Sequence, residues 1–138
     1  MTPAITVQEG DELPPFVRTT GFPEWNRFAA VNDEFVAIHM DDAAGQAAGL
    51  PGAIGMGFLQ VAYLHNMLRD WLAGRGTVKT FKCRFSGMNQ KGQEVTATGK
   101  VTAVTKLEGS TEVELEIWTA DRSGQRIASG TCSVVLDD

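Results

Sequence analysis

Residues 57–71 constrain this chain more than any other stretch. Their apolar side chains recur at helical spacing but cover more than one side: Phe58, Leu59, Val61, Ala62, Tyr63, Leu64, Met67, Leu68 and Trp71. A helix that is apolar most of the way round must be buried. Gln60, His65, Asn66, Arg69 and Asp70 interrupt the run, so it does not read as a membrane span. The chain has 138 residues and 43% hydrophobic content, enough for one domain with a proper core. In a chain this short, a sheet has to wrap around the helix.

The remainder of the sequence supplies that sheet. Residues 77–85 alternate, with Phe81, Cys83 and Phe85 on one face and Lys82 and Arg84 on the other. Lys91-Gly92-Gln93 reads as a turn before residues 94–105, where Val95, Ala97, Val101 and Ala103 oppose Thr96, Thr98, Lys100 and Thr102. Glu108-Gly109 turns into residues 110–120, where Val113, Leu115 and Ile117 oppose a solvated row of Glu112, Glu114 and Glu116. Asp121-Arg122-Ser123-Gly124 turns into residues 125–136. Period-two alternation between glycine-containing turns predicts an antiparallel meander. The expected fold is α+β: an antiparallel sheet wrapped around one long central helix, a single domain over residues 1–138. Such a sheet leaves edges and an exposed face, so pairing with a second copy as a dimer is expected.

The first third is irregular. Residues 13–19 read as a short extended piece opening on Pro14-Pro15. Thr20-Gly21 opens a helix, with Pro23 in its first turn, Glu24 at its positive end and Trp25, Phe28, Ala29 and Val31 as its apolar stripe. Residues 32–42 read as loop with a short extended core at 35–39. Asp41 or Asp42 caps a brief helix through Ala43, Ala44, Ala47 and Ala48, which Gly49-Leu50-Pro51-Gly52 ends.

Charge and composition exclude several classes of function. A formal net charge of -5 and a pI near 5.0 argue against nucleic acid as a partner, because phosphate neutralisation needs basic surface. The densest basic group is Arg75, Lys79, Lys82, Arg84 and Lys91. Cys83 and Cys132 lie far apart in strand-like segments and read as buried thiols of a reducing compartment. No Cys/His cluster suggests a metal site. The start, Met1-Thr2-Pro3-Ala4, has neither basic residues nor a long apolar run, so no signal peptide is read and a cytoplasmic location is expected, with no membrane partner.

Three residues carry candidate chemistry. Glu34 and His39 lie five residues apart on one loop, where a carboxylate and an imidazole can converge on one water. Gly57 opens the long helix, where free N–H groups face a developing negative charge and the absence of a side chain lets a ligand approach. Asp33 is a competing carboxylate beside Glu34. Gln60 and Tyr63 are candidates to line an acyl tunnel, and His65 reads as a core or interface histidine.

These residues bring a family to mind. Residues 27–59 resemble the MaoC-like (R)-specific enoyl-CoA hydratases and dehydratases of the hot-dog fold. Their pattern runs Ser-Gly-Asp-x-Asn-Pro-x-His, then a polar helix, then Ala-Gly-Phe-Pro-Gly-Pro-Ile-Ala-His-Gly-Met. This chain has Asn32-Asp33-Glu34-Phe35-Val36-Ala37-Ile38-His39, then Ala48-Gly49-Leu50-Pro51-Gly52-Ala53-Ile54-Gly55-Met56-Gly57-Phe58, without a gap between the blocks. Gly92-Gln93-Glu94-Val95 stands where the family has a Gly-Asp-x-Val turn. The resemblance implies reversible hydration of a 2-enoyl-CoA to a 3-hydroxyacyl-CoA, with no cofactor and no metal. It implies Glu34 and His39 as the catalytic pair, Gly57 as the amide donor to the thioester oxygen, and Met56 and Phe58 beside it as substrate-binding residues. Partners implied are the acyl-CoA thioester and a second hot-dog chain, as homodimer or heteromer.

The chain departs from the pattern at Glu34 for aspartate, Val36 for asparagine, Ala37 for proline and Met56 for histidine. These departures keep two alternatives open. One is a non-catalytic hot-dog subunit that pairs with an active MaoC-like chain. The other is an acyl-CoA thioesterase, for which the first turns of the long helix offer Gln60 but no acid before Asp70.

Overall fold

The computed structural model of the protein describes residues 4–138. In chain order the elements are β1 (Phe16–Thr19), α1 (Phe22–Asn32), α2 (Asp42–Ala47), α3 (Gly57–Leu72), β2 (Gly76–Phe85), β3 (Glu94–Leu107), β4 (Ser110–Ala120) and β5 (Arg126–Asp137). The strands form one antiparallel sheet in the order β1-β3-β4-β5-β2. It curls around α3, which touches every strand. This is the hot-dog architecture that the buried helix and the alternating strands predict.

The inward faces of the strands build the core that holds α3. Val101, Leu115, Cys132 and Phe81 stand in register across β3, β4, β5 and β2. Val95, Ala97, Val113, Ile117, Val134 and Leu136 extend the same face. Against it α3 buries Leu59, Gln60, Tyr63, Leu64, Met67, Leu68 and Leu72. Register shifts at Val78/Thr80, Val101/Ala103 and Thr119/Ala120 bend the strands, since an extra residue on one side increases local twist. On β3, a Cβ at Gly99 would crowd Glu116 O and the Ile117 side chain of β4 at 3.1 Å and touch the end of Met67 from α3 at 3.6 Å.

The structure differs from the sequence expectation in four places. Only β3, β4 and β5 form a meander, because β2 crosses to the far edge and pairs with β5. Alternation identifies a strand but not its neighbour. The Lys91-Gly92-Gln93 segment therefore closes no hairpin between β2 and β3; the Gly92 N–H bonds Thr20 O at 2.9 Å instead. Residues 86–93 become a crossing that passes the N-terminal end of α3. Second, the expected extended core at 35–39 ends in a 3-10 helical turn over Ala37–His39, closed by His39 N to Val36 O and Met40 N to Ala37 O. Third, the burial of α3 is one-sided. Phe58 is 58% exposed, and His65 lies exposed with its ring stacked on Phe81. Fourth, on α1, Trp25 and Ala29 are buried, whereas Val31 is exposed and falls off the stripe.

Because α3 provides the far wall of the core, its side chains set the stability of the domain. Leu64→Ala, which removes a fully buried side chain, is expected to cost about 2–5 kcal/mol in urea denaturation. A loss under 1 kcal/mol, on the order of a surface substitution, contradicts the central placement of α3.

Candidate active site

The site is built on a strap, residues 52–57, that leads into α3. Four contacts hold it. The Asp42 carboxylate caps the chain by accepting the Ala53 N–H at 3.0 Å. Ile54 donates its N–H to Ile38 O at 3.0 Å. The Gly55 N–H bonds Asn89 O at 2.7 Å. Inside α2, Gly45 lies so close to Gly52 O that no Cβ fits between them. Asp41 begins α2 by accepting the Ala43 N–H at 2.9 Å, as an N-cap aspartate does. Lys91 pairs with Asp42 from the β2–β3 crossing. That ammonium, and then the Ala53 amide, holds the Asp42 carboxyl below the usual carboxylate range.

This clamping fixes His39. Its Nδ1 lies 2.8 Å from Ile54 O. A carbonyl oxygen only accepts, so Nδ1 carries the proton, and Nε2 is left as the acceptor of the neutral ring. His39 is buried, 8% exposed, and lines a cavity of about 190 Å³ with Ile54, Met56, Gly57, Gln60 and Asn89. Phe85, Met88 and Ile127 form its apolar side. At about 30 Å³ per water-sized group, that volume holds roughly six such groups. Larger clefts, including one of about 470 Å³ beside His65 and Arg69, contain neither His39 nor Gly57.

The same cavity reaches the start of α3. Met56 is the N-cap residue, and its buried side chain makes no capping bond. The amide of Gly57, the first helical residue, has no acceptor within the helix. No acidic side chain lies in the first turn, so the positive end of the helix dipole meets no carboxylate from the helix itself. The Phe85 ring packs over Gly57, and a Cβ there would meet it at 2.9 Å.

Of the residues marked by the sequence, His39, Met56, Gly57 and Gln60 come together on this cavity, and Tyr63 does not line it. Glu34 and Phe58 lie outside its lining. Glu34 follows the left-handed Asp33 at the end of α1 and donates its N–H to Ala29 O at 3.1 Å. Its Oε2 is buried and has no partner among the described residues. Asp33 is exposed. The basic group disperses: Lys79 pairs with Glu112, Lys91 with Asp42, and Arg75 bonds the last carbonyls of α3. Burial pushes the Cys132 thiol up to about 12, which keeps it from acting as a thiolate.

Asn89 is the residue that sequence reasoning missed. It is buried, it bonds the strap through its backbone carbonyl, and its side chain accepts from Thr20 at 3.3 Å and from Gln60 at 3.4 Å. Asparagine between two strands reads as an ordinary turn residue, so nothing local marked it. Only the crossing of β2 to the far edge carries it to the helix start.

Two outcomes check this geometry. Nitrogen NMR of the neutral His39 ring is expected to show the proton on Nδ1; a ring protonated on Nε2 contradicts the strap contact. Gly57→Ala is expected to displace Phe85 and cost about 1–3 kcal/mol in urea denaturation, since overpacking forces neighbours to move. Unchanged stability contradicts the close packing of Phe85 over Gly57.

Comparison with known proteins places the chain. Residues 17–122 match the family described as MaoC like domain. Among solved structures, an (R)-hydratase from A. caviae involved in PHA biosynthesis is similar at 23% identity and a TM-score of 0.84, covering 95% of this chain and 98% of that one. The ChsH1-ChsH2 complex from Mycobacterium tuberculosis is similar at 18% identity and a TM-score of 0.83, covering 95% of this chain and 99% of that one. The R-hydratase PhaJ1 from Pseudomonas aeruginosa is similar at 16% identity and a TM-score of 0.84, covering 96% and 83%. At these identities the structural likeness establishes the fold, while the family match extends over most of the chain. The protein belongs to the MaoC-like family of hot-dog proteins, whose membership supports a reaction of the hydratase and dehydratase type.

Proposed function

We propose that the protein catalyses the reversible hydration of a 2-enoyl-CoA to a 3-hydroxyacyl-CoA. One observation carries the reading: an imidazole with its tautomer fixed and an uncapped helix amide share one cavity. In the hydration direction, His39 Nε2 takes one proton from water as the water oxygen bonds C3. The C2–C3 π pair moves toward the thioester, and the enolate-like charge on its oxygen rests against the Gly57 N–H. The proton held by the His39–Glu34 pair is then delivered to C2, which restores the pair and completes the addition of one water. Glu34 shares the proton transfers with His39, and Met56 and Phe58 flank the thioester.

Crotonyl-CoA is the first substrate to try, because the cavity is small. Hydration is followed by the loss of the enoyl-thioester absorbance. His39→Ala is expected to lower kcat by about a hundredfold or more, the usual range for a general base. Glu34→Gln is expected to lower it by about tenfold, a smaller effect for the group set back from the cavity. Wild-type turnover in His39→Ala contradicts the assignment.

A second reading is favoured by the position of Glu34 outside the cavity lining. In it the chain is a non-catalytic subunit that shapes an acyl pocket for an unlike hot-dog partner, and one similar structure is itself a complex of two named chains. Under the first reading the partner is a second copy or an unlike chain, and the purified protein turns over alone. Turnover only after a second MaoC-like chain is added selects the subunit reading. The thioesterase alternative lacks its carboxylate, since α3 has no acid in its first turn.

A further inference from the structure

Gln60 lies one helical turn beyond Gly57 and lines the same cavity, with only 1% of its surface exposed. The direction of its amide is set by a chain of hydrogen bonds that begins at the surface. Gln93 Nε2 donates to the Asp121 carboxylate at 3.3 Å, and Gln93 Oε1 accepts the Gln90 N–H at 3.0 Å. Both partners can play only one role, so Gln93 has one orientation. Asn89 Nδ2 then donates to Gln93 Oε1 at 3.3 Å and to Gln90 O at 3.4 Å. That turns Asn89 Oδ1 inward, where it accepts the Thr20 hydroxyl and Gln60 Nε2. The Thr20 oxygen in turn accepts the Trp25 indole N–H at 3.2 Å.

The polarity of the network therefore ends on Gln60 Oε1. This oxygen is buried and has no hydrogen-bond partner among the described residues. Native structures rarely leave a buried acceptor unpaired, and such an atom calls for an explanation. Three residues of the cavity lining have nitrogen- or oxygen-bearing side chains: His39, Gln60 and Asn89. Both ends of the Asn89 amide are engaged. His39 Nε2 and Gln60 Oε1 are the two acceptors that remain.

We propose that Gln60 Oε1 accepts a hydrogen bond from the oxygen that becomes the 3-hydroxyl, and so acts as a catalytic residue of the hydration proposed above, on which this inference rests. A water attacking C3 has two O–H bonds. His39 Nε2 takes one proton. The other stays on the new hydroxyl and needs an acceptor while a lone pair is aimed at carbon. An amide carbonyl is too weakly basic to remove that proton, so it orients the water and later recognises the product hydroxyl. A second buried polar group on α3 lies near but outside the cavity lining and serves as a control. The Tyr63 hydroxyl, three residues along α3, is also buried without a hydrogen bond of ordinary geometry. Burial pushes its phenol up, with the nearby Thr20 hydroxyl pulling the other way.

Calorimetric binding of 3-hydroxybutyryl-CoA, both enantiomers, and of butyryl-CoA separates these roles. The wild type is expected to bind one hydroxyl enantiomer about fivefold to tenfold more tightly than the saturated thioester, the worth of one hydrogen bond. Gln60→Met is expected to bring the two within about twofold, while Tyr63→Phe keeps the preference. In turnover, Gln60→Met is expected to lower kcat for crotonyl-CoA by about tenfold to a hundredfold with KM little changed. Gln60→Leu serves if circular dichroism shows the methionine variant unfolded. A hydroxyl preference that is absent from the wild type, survives in the Gln60 variants, or is lost equally in Tyr63→Phe overturns the proposal and leaves the hydratase reading standing. If the wild type binds neither thioester and shows no turnover, both readings fall together.

Discussion

Burial of one face of α3 in the curled sheet is the interaction on which the rest of the structure depends. Leu64, Met67 and Leu68 lie against a row of inward side chains drawn from four strands. That packing fixes the axis of the helix, and with it the direction in which its first amides point. Helix dipoles act over about one turn, so a helix start useful to chemistry must be held in place. Here the sheet holds the helix body, and the strap before Gly57 holds its entry.

The strap shows how several weak local contacts act as one positioning device. Asp42 and Gly45 of α2, Ile38 and Asn89 reach it from three segments. The peptide that gives His39 its acceptor, at Ile54, lies three residues before the amide donor at Gly57. The base and the donor are thus held by the same short stretch of backbone, and their separation does not depend on long flexible side chains. The network that runs inward from Asp121 through Gln93 and Asn89 to Gln60 adds a fixed electrical polarity to the same wall. Exchanging donor and acceptor at any one of these amides would set like against like at the next.

Much of the fold was legible because it rests on local periodicity. The all-round apolar pattern of residues 57–71 predicted the central helix, and alternation located each strand within a few residues. His39 and Gly57 were legible through their spacing from Pro51-Gly52 and from the helix start. The placement of β2 at the far edge was not, because alternation says which side chains share a face and nothing about which strand lies alongside. The turn over Ala37–His39 was missed for a related reason: Val36, Ala37 and Ile38 have strand-like chemistry, but the strap takes Ile38 O as an acceptor and closes the chain on itself.

The sequence by itself determined the elements, the buried character of α3, and the presence of an imidazole and a glycine at a helix start. Each of these follows from residue type and spacing along the chain. Only the tertiary structure decided which groups face one another. It brought Phe85 from the end of β2 and Asn89 from the crossing beyond it onto the cavity, set Glu34 back from its lining, and left Gln60 Oε1 as an acceptor without a partner among the described residues. The physical reason is that the cavity lies where the β2–β3 crossing passes the end of α3. That crossing exists because β2 pairs with β5, a contact between segments about fifty residues apart that no local pattern encodes.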